Sequence, residues 1–226
     1  MNCSPISPND VLANASVEER VTIAGAEWVI HRPPSAEDLI DEDAYARDER
    51  LPYWADLWPS AHVLAEYVAR RGVADTRMVE LGCGLGLPSI VAAGHGADVL
   101  ATDWYSDALE FVSANAKSAN VELRTGLLDW FNPNEVVLSH APYDLVVGAD
   151  LLYEDRNGEA LLGLLPRLVA ADGEVVISDP RRPNAASLLH PIAALGWSVE
   201  TTEHEHGGRI DESGPRVHLH RLRPPA

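Results

Sequence analysis

The residues in this chain whose types and spacing could do chemistry begin with Glu80-Leu81-Gly82-Cys83-Gly84-Leu85-Gly86, between a β-rich run (77–81) and a helical stretch (87–94). A strand that ends in glycines lets a ligand approach the backbone, and the start of the next helix presents N–H donors and partial positive charge to a carboxylate. Glu80 is placed either to take an ammonium group or to cap the turn. A nicotinamide-binding turn would carry its third glycine at position 87, where this chain has Leu87; here it is Gly86. Asp103 ends the next strand, where a carboxylate can accept both hydroxyls of a ribose. Trp104 or Tyr105 can lay a ring on a purine or simply pack at a helix start. Asp129-Trp130 follows the third strand at the same carboxyl edge, where an acid can take an exocyclic amino group or close a local turn.

A carboxylate-and-ammonium tail, a ribose and an adenine together describe S-adenosylmethionine. The elements that must position such a site alternate between the periods of strand and helix, which defines an α/β fold. Strands are expected at 77–81, 97–103, 121–126, 143–149 and 174–179, with helices between them. Runs 197–206 and 217–223, separated by a Gly- and Pro-containing loop, are expected to form an antiparallel hairpin. Ahead of this core, 60–70 has helical apolar spacing, and 20–23 with 26–31 reads as a hairpin around Ala24-Gly25. The acidic stretch 37–49 reads as a solvated linker or a flap over the substrate side.

At 226 residues the chain suits one α/β domain. A formal net charge of -18 disfavours a phosphate backbone as partner and suits a basic one, or serves solubility alone. No run approaches the roughly 20 apolar residues of a membrane span, and the first residues lack a signal-peptide pattern. Two cysteines, Cys3 and Cys83, give little support to a disulfide. A cytoplasmic protein is expected, with a monomer as the simplest state.

With those residues in view, the chain resembles the class I S-adenosylmethionine-dependent methyltransferases, and more narrowly the seven-β-strand protein lysine methyltransferases. Three signatures carry the likeness: the aromatic segment Leu51-Pro52-Tyr53-Trp54-Ala55-Asp56-Leu57-Trp58-Pro59-Ser60-Ala61; the glycine loop with Asp103 and Asp129-Trp130; and Asp150-Leu151-Leu152-Tyr153, which matches the group's Asp-x-x-Tyr pattern. The segment Ser178-Asp179-Pro180-Arg181-Arg182-Pro183 is similar to the methyltransferases of the electron-transfer flavoprotein β subunit, whereas the glycine loop is closer to those that modify chaperones. The resemblance implies a Rossmann-like seven-stranded sheet of order 3-2-1-4-5-7-6, the last strand antiparallel, with helices on both faces. Residues 51–226 would form the methyltransferase domain and residues 1–50 an extension packed on it. It further implies that Glu80, Gly82, Gly84 and Gly86 hold the methionine part of the cofactor, Asp103 the ribose, and Asp129 and Trp130 the adenine. Trp58 would wall the cofactor, Ala149 would line it beside the sulfonium, and Asp150 and Tyr153 would face the substrate, a protein lysine.

Methyl transfer to an amine needs alignment and a neutral nucleophile, so aromatic walls from Trp54, Trp58 and Tyr153 would help by desolvation, and Asp150 would orient the amine. The same site would serve a small-molecule N-methyltransferase, or a non-catalytic module that binds the cofactor. No metal is required. His204, His206, His218 and His220 alternate on the two strands of the terminal hairpin, and a symmetric hairpin pairing 204 with 220 and 206 with 218 would put four imidazoles on one face, a conceivable zinc or nickel site. Exposed strand histidines are the commoner reading.

Overall fold

Strands β1 (Val17–Ile23) and β2 (Ala26–Arg32) pair antiparallel around Ala24 and Gly25, both at positive φ, the tight turn whose twist matches that of the flanking strands. The computed structural model describes residues 16–36, 39, 51–205 and 215–225. Apart from Leu39, the acidic stretch 37–49 lies outside the described residues, and so does His206. One face of the hairpin, Val21, Ile23 and Ile30, is buried with Ala65, Leu87, Ile90, Val91 and Ala116. These partners come from α1 (Pro59–Arg71), α2 (Leu87–Gly94) and α3 (Ser106–Ser118).

The remaining strands of the described residues are β3 (Arg77–Leu81), β4 (Asp98–Asp103), β5 (Arg124–Leu127), β6 (Tyr143–Ala149), β7 (Val169–Asp179), β8 (Ser198–Glu205) and β9 (Arg216–Arg223). They form one sheet in the order β5-β4-β3-β6-β7-β9-β8. Counted within the sheet this is 3-2-1-4-5-7-6, as expected. The first five run parallel, and β9 runs against both β7 and β8. Alternate residues of the central strands point to opposite faces, as a pleated strand requires. Met78, Leu145, Val147 and Val176 pack towards α1 and α2. Val79, Leu81, Val146, Val175 and Ile177 pack towards α5 (Asp155–Leu168) and α6 (Ala186–Ala194). The short α4 (Glu135–Leu138) is capped by Asn134, whose side chain accepts from the Val137 N–H.

Two strands of the seven-stranded sheet begin three or more residues from where they were expected. β5 begins at Arg124 rather than at 121, because Asn120 leaves α3 in a left-handed conformation and the Val121 N–H turns back to the Ala116 carbonyl, occupying the donor a strand would need. β7 starts at Val169, directly after α5, and its pairing with β6 is irregular between Tyr143 and Leu145.

In the middle of β7 the buried Glu174 binds Arg71, Arg221, Arg223 and the Tyr67 hydroxyl, tying β9 and α1 to β7. Asn115, fully buried on α3, accepts from the His31 N–H (2.8 Å) and donates to the carbonyls of His31 (3.0 Å) and Leu85 (3.2 Å). One side chain thus fastens the hairpin to the glycine loop. Asn115→Ala would orphan three backbone groups and is expected to cost about 3 kcal/mol in denaturant unfolding; a loss below about 1 kcal/mol would show that water takes over these bonds.

Candidate active site

The carboxyl ends of β3, β4 and β6 and the loop after β5 open onto one cavity of about 610 Å³. Its lining includes Trp58, Glu80, Gly82, Gly84, Gly86, Asp103, Trp104, Asp129, Trp130, Ala149, Asp150 and Tyr153. Every residue proposed from the sequence for the cofactor or the substrate therefore borders one space.

The glycine loop is shaped by two requirements. Gly82 has φ +59°, and a Cβ there would lie 2.9 Å from Leu151 Cδ2 and 3.1 Å from Trp130 Cζ2. Gly86 has φ +80°, and its Cβ would lie 2.9 Å from Val112 Cγ2. Left-handed backbone and close packing both exclude a side chain at these two positions.

Two carboxylates brace the loop. Asp103 accepts the Gly84 N–H (3.0 Å) through Oδ2 and the Tyr105 N–H (3.0 Å) through Oδ1. Glu80, 1 % exposed, accepts the Ser89 N–H (2.9 Å) and the Ser89 hydroxyl through Oε2. Glu80 thus does cap the start of α2 while also lining the cavity. With Pro88 carrying no N–H and that of Ser89 taken, the helix start has fewer donors for a ligand than the bare sequence suggests. Burial pushes the Glu80 carboxyl up to about 8 against the hydrogen bonds from Ser89, and burial likewise raises Asp103. A cationic group of a ligand beside them would favour their ionised forms.

Asp129 accepts the Phe131 N–H (2.9 Å), the local turn that was the alternative reading, and still borders the cavity. Trp104 is exposed at the rim. Trp54, expected as an aromatic wall, borders the cavity but is mostly buried in packing, with its ring 5.6 Å from that of Phe111 and 6.5 Å from that of Tyr105. Its neighbour Tyr53 takes the outward position: ring centroids lie 6.2 Å from Trp58 and 5.8 Å from Tyr153, both edge-on, and the Trp58 indole donates to the Tyr53 carbonyl (2.8 Å). Tyr53, Trp58 and Tyr153 are 47 %, 36 % and 39 % exposed. Sequence reasoning missed Tyr53 although it stood in the aromatic segment; only the short 3₁₀ turn Tyr53–Ala55 decides which ring faces out.

Asp150 has φ +59° and donates its N–H to the Ser178 carbonyl (2.7 Å). Its Oδ1 accepts from Arg182 Nε (2.7 Å), and burial raises its carboxyl while Arg182 acts the other way. The buried Asn157 amide donates to the Leu151 carbonyl (3.0 Å), holding the Asp150–Tyr153 turn in shape.

The four-histidine arrangement is not formed. His220 pairs with Thr201 and His218 with Glu203, while His204 lies opposite Val217. The offset from a symmetric hairpin is odd, so His204 is on the face away from His218 and His220. The register is held by β7: Val217 and Leu219 are buried towards α1, and His220 Nε2–H donates to the buried Asp179 Oδ2 (2.9 Å). Among the described residues, no group of three or more His, Cys, Asp or Glu side chains could hold a metal ion.

A glycine turn after the first strand of a 3-2-1-4-5-7-6 sheet, with a carboxylate closing the second strand, defines the Rossmann-like methyltransferase class. A profile of the lysine methyltransferase family matches residues 50–189, and the chain belongs to that family. It is 31 % identical over 166 residues to the electron transfer flavoprotein beta subunit lysine methyltransferase of Xenopus laevis, covering 69 % of this chain and 65 % of that one. It is 34 % identical over 157 residues to the histone-arginine methyltransferase METTL23 of Xenopus laevis, covering 66 % and 62 %. Over 137 residues it is 34 % identical to the protein N-lysine methyltransferase METTL21A of Danio rerio, covering 58 % and 62 %. The chain spans just under two thirds of the length of these relatives. Among solved structures, the Thermus thermophilus 16S rRNA N2 G1207 methyltransferase, in complex with AdoMet and guanosine, superposes with a TM-score of 0.66 at 14 % identity, covering 93 % of this chain and 51 % of that one. The precorrin-6y C5,15-methyltransferase of Geobacter metallireducens gives 0.58 at 18 %, covering 72 % and 88 %. These two share the fold.

Because burial raises the Glu80 carboxyl from 4.5 to about 8 on folding, its contribution to stability is full below pH 4.5 and is lost as pH rises towards about 8. Thermal melts across that window are expected to decline, and Glu80→Gln to flatten the decline; an unchanged slope in the variant would place the linkage elsewhere.

Proposed function

We propose that this protein transfers a methyl group from S-adenosylmethionine to the side-chain amine of a lysine in a protein substrate. The observation that carries the reading is the meeting, at one cavity, of Asp150 and the exposed rings of Tyr53, Trp58 and Tyr153 with the glycine loop and Asp103. The donor and acceptor set fits the cofactor: Glu80 and the loop Gly82–Gly86 are assigned its methionine part, Asp103 its ribose, and Asp129, Trp130 and the rim residue Trp104 its adenine. Trp58 and the backbone at Ala149 are assigned to the wall beside the reacting group. When bound, the cofactor supplies an electrophilic methyl on a cationic sulfonium.

The chain's own residues then have to present a neutral amine. A lysine has a pKa of about 10.4 in water, and enclosure by Tyr53, Trp58 and Tyr153 strips its hydration and lowers that value. Asp150 acts in the opposite sense by stabilising the ammonium, so it recruits and orients the side chain rather than removing its proton. The rings are solvent-exposed at the mouth, where water can carry the proton away.

The net charge of -18 favours a basic protein segment over a nucleic acid as partner. Among the described residues no helix is long and apolar enough to cross a membrane. The reading assumes a cytoplasmic monomer in which residues 51–226 act as the methyltransferase domain and residues 1–50 as its extension. An arginine substrate is the second reading, favoured by the similarity to the histone-arginine relatives.

Incubation with methyl-labelled cofactor and an extract of the source organism tests the proposal. Label on a single protein, mapped to lysine and lost in Asp150→Ala, is the expected result. Label on arginine would select the second reading, and label confined to small molecules would overturn a protein substrate. On the labelled protein, Tyr53→Ala is expected to lower kcat/KM about tenfold, because the positive charge that develops on the amine as the methyl is transferred loses one ring face, with cofactor affinity unchanged. Asp103→Ala is expected to abolish cofactor binding measured by calorimetry; retained affinity would remove Asp103 as the ribose anchor.

A further inference from the structure

Arg182 lies in no motif used to assign the site, yet it borders the cavity and is the side chain that holds Asp150. The contact is well enclosed: the side chains of Asp150 and Arg182 are 10 % and 34 % exposed, and Arg182 Nε donates to Asp150 Oδ1 at 2.7 Å. The other carboxylate oxygen, Oδ2, is buried with no hydrogen-bond partner among the described residues. One oxygen is therefore anchored, and the other, enclosed by the fold, has its acceptor capacity unspent.

Arg182 is itself held from behind. Its backbone N–H donates to Asp179 Oδ1 (2.7 Å), and the second Asp179 oxygen accepts from His220 Nε2–H (2.9 Å) on β9. His220 is fixed in turn through Nδ1 by the Thr201 hydroxyl (2.8 Å) on β8. Burial alone would raise the Asp179 carboxyl, but the His220 hydrogen bond and the Arg182 and Arg181 N–H groups outweigh it and hold the carboxyl low. Asp179 thus stays an acceptor on both sides. The backbone around the contact is constrained as well, since Asp150 and Arg181 both sit at positive φ without being glycine. Two segments, one after β6 and one after β7, are bent towards each other and joined by one ion pair.

We propose that Arg182 is a positioning residue for methyl transfer: its guanidinium fixes the Asp150 carboxylate at the cavity wall on the side assigned to the substrate amine, and the Asp179–His220 pair fixes Arg182 itself. The terminal strand pair β8–β9 thereby takes part in the site without touching it. The proposal rests on the reading of Asp150 as the residue that faces the amine.

The test compares Arg182→Gln and Arg182→Lys in the full chain by three readouts. The first is the ionisation of Asp150, followed by carbon NMR of carboxyl-labelled aspartate and assigned by its absence in Asp150→Asn. Arg182 and Asp179, both from the end of β7, are the charged groups that act on this carboxyl. Loss of the guanidinium is expected to move its titration upward, and Arg182→Lys to return it part of the way. The second is S-adenosylhomocysteine affinity by calorimetry, expected within about twofold of wild type in both variants because Arg182 is assigned no cofactor contact. The third is methyl transfer to the labelled protein, expected to fall tenfold or more in kcat in Arg182→Gln and to be partly restored in Arg182→Lys. An unmoved Asp150 titration, or unchanged transfer in Arg182→Gln, would overturn the proposal; an equal loss of cofactor affinity would do so too, by showing a general collapse of the site. Failure of the underlying lysine reading is seen separately, as absence of transfer by the wild-type protein, and the Asp150 titration still decides whether Arg182 holds that carboxylate.

Discussion

Two carboxylates, Glu80 and Asp103, are buried at the ends of adjacent parallel strands, and little else near the cavity can be understood without the cost of keeping them there. A carboxylate out of water must be given hydrogen bonds or a proton. The fold supplies hydrogen bonds from the start of α2, from Gly84 and from Tyr105. Those donors are available only if the chain between the strands curls through left-handed conformations with nothing projecting from Gly82 and Gly86. The glycine loop is therefore the shape a backbone takes when it solvates two acids at once. Even with those donors, burial leaves both carboxyls above their ordinary range, and a positive group beside them would bring them down.

Much of this was legible in the sequence, for a physical reason: backbone geometry that only glycine tolerates, and strand ends that only certain spacings bring together, are written in residue types. Glu80, Asp103, Asp129 and Asp150 each follow or end a strand of a parallel sheet, and parallel sheets put all such ends at one edge. The strand order followed from resemblance and proved correct. What was not legible depended on tertiary choices among similar residues. Tyr53 and Trp54 are adjacent aromatics, and which one is buried is set by the short turn 53–55, which lays Trp54 against Tyr105 and Phe111, at the start of α3 and within it. Arg181 and Arg182 are equally cationic, but only the second meets Asp150.

The terminal hairpin shows the same limit most clearly. Alternating histidines on both strands are visible in the sequence, whereas register is not, because register was assigned from hairpin symmetry and is in fact held by the neighbour on the other side. β9 is pinned to β7 by the Asp179–His220 bond and the burial of Val217 and Leu219, and β8 then takes whatever register remains. β8 itself is exposed along its whole length and carries Glu200, Glu203 and Glu205, charges that discourage edge-to-edge pairing with another sheet.

The fastening of the N-terminal hairpin has a consequence for how the chain reaches this structure. Asn115 joins α3 to His31 across 84 positions, and the Ser178 hydroxyl reaches the Ser60 carbonyl across 118. Closures this long in sequence are entropically expensive and slow compared with the local pairing of β1 with β2. As the chain emerges during synthesis, residues 17–32 appear well before the helix that clasps them, and a two-stranded hairpin with its apolar face uncovered is only marginally stable in water. The brace that Asn115 gives the Leu85 carbonyl and the hairpin is thus a contact between the first and middle thirds of the chain, complete only once both have folded.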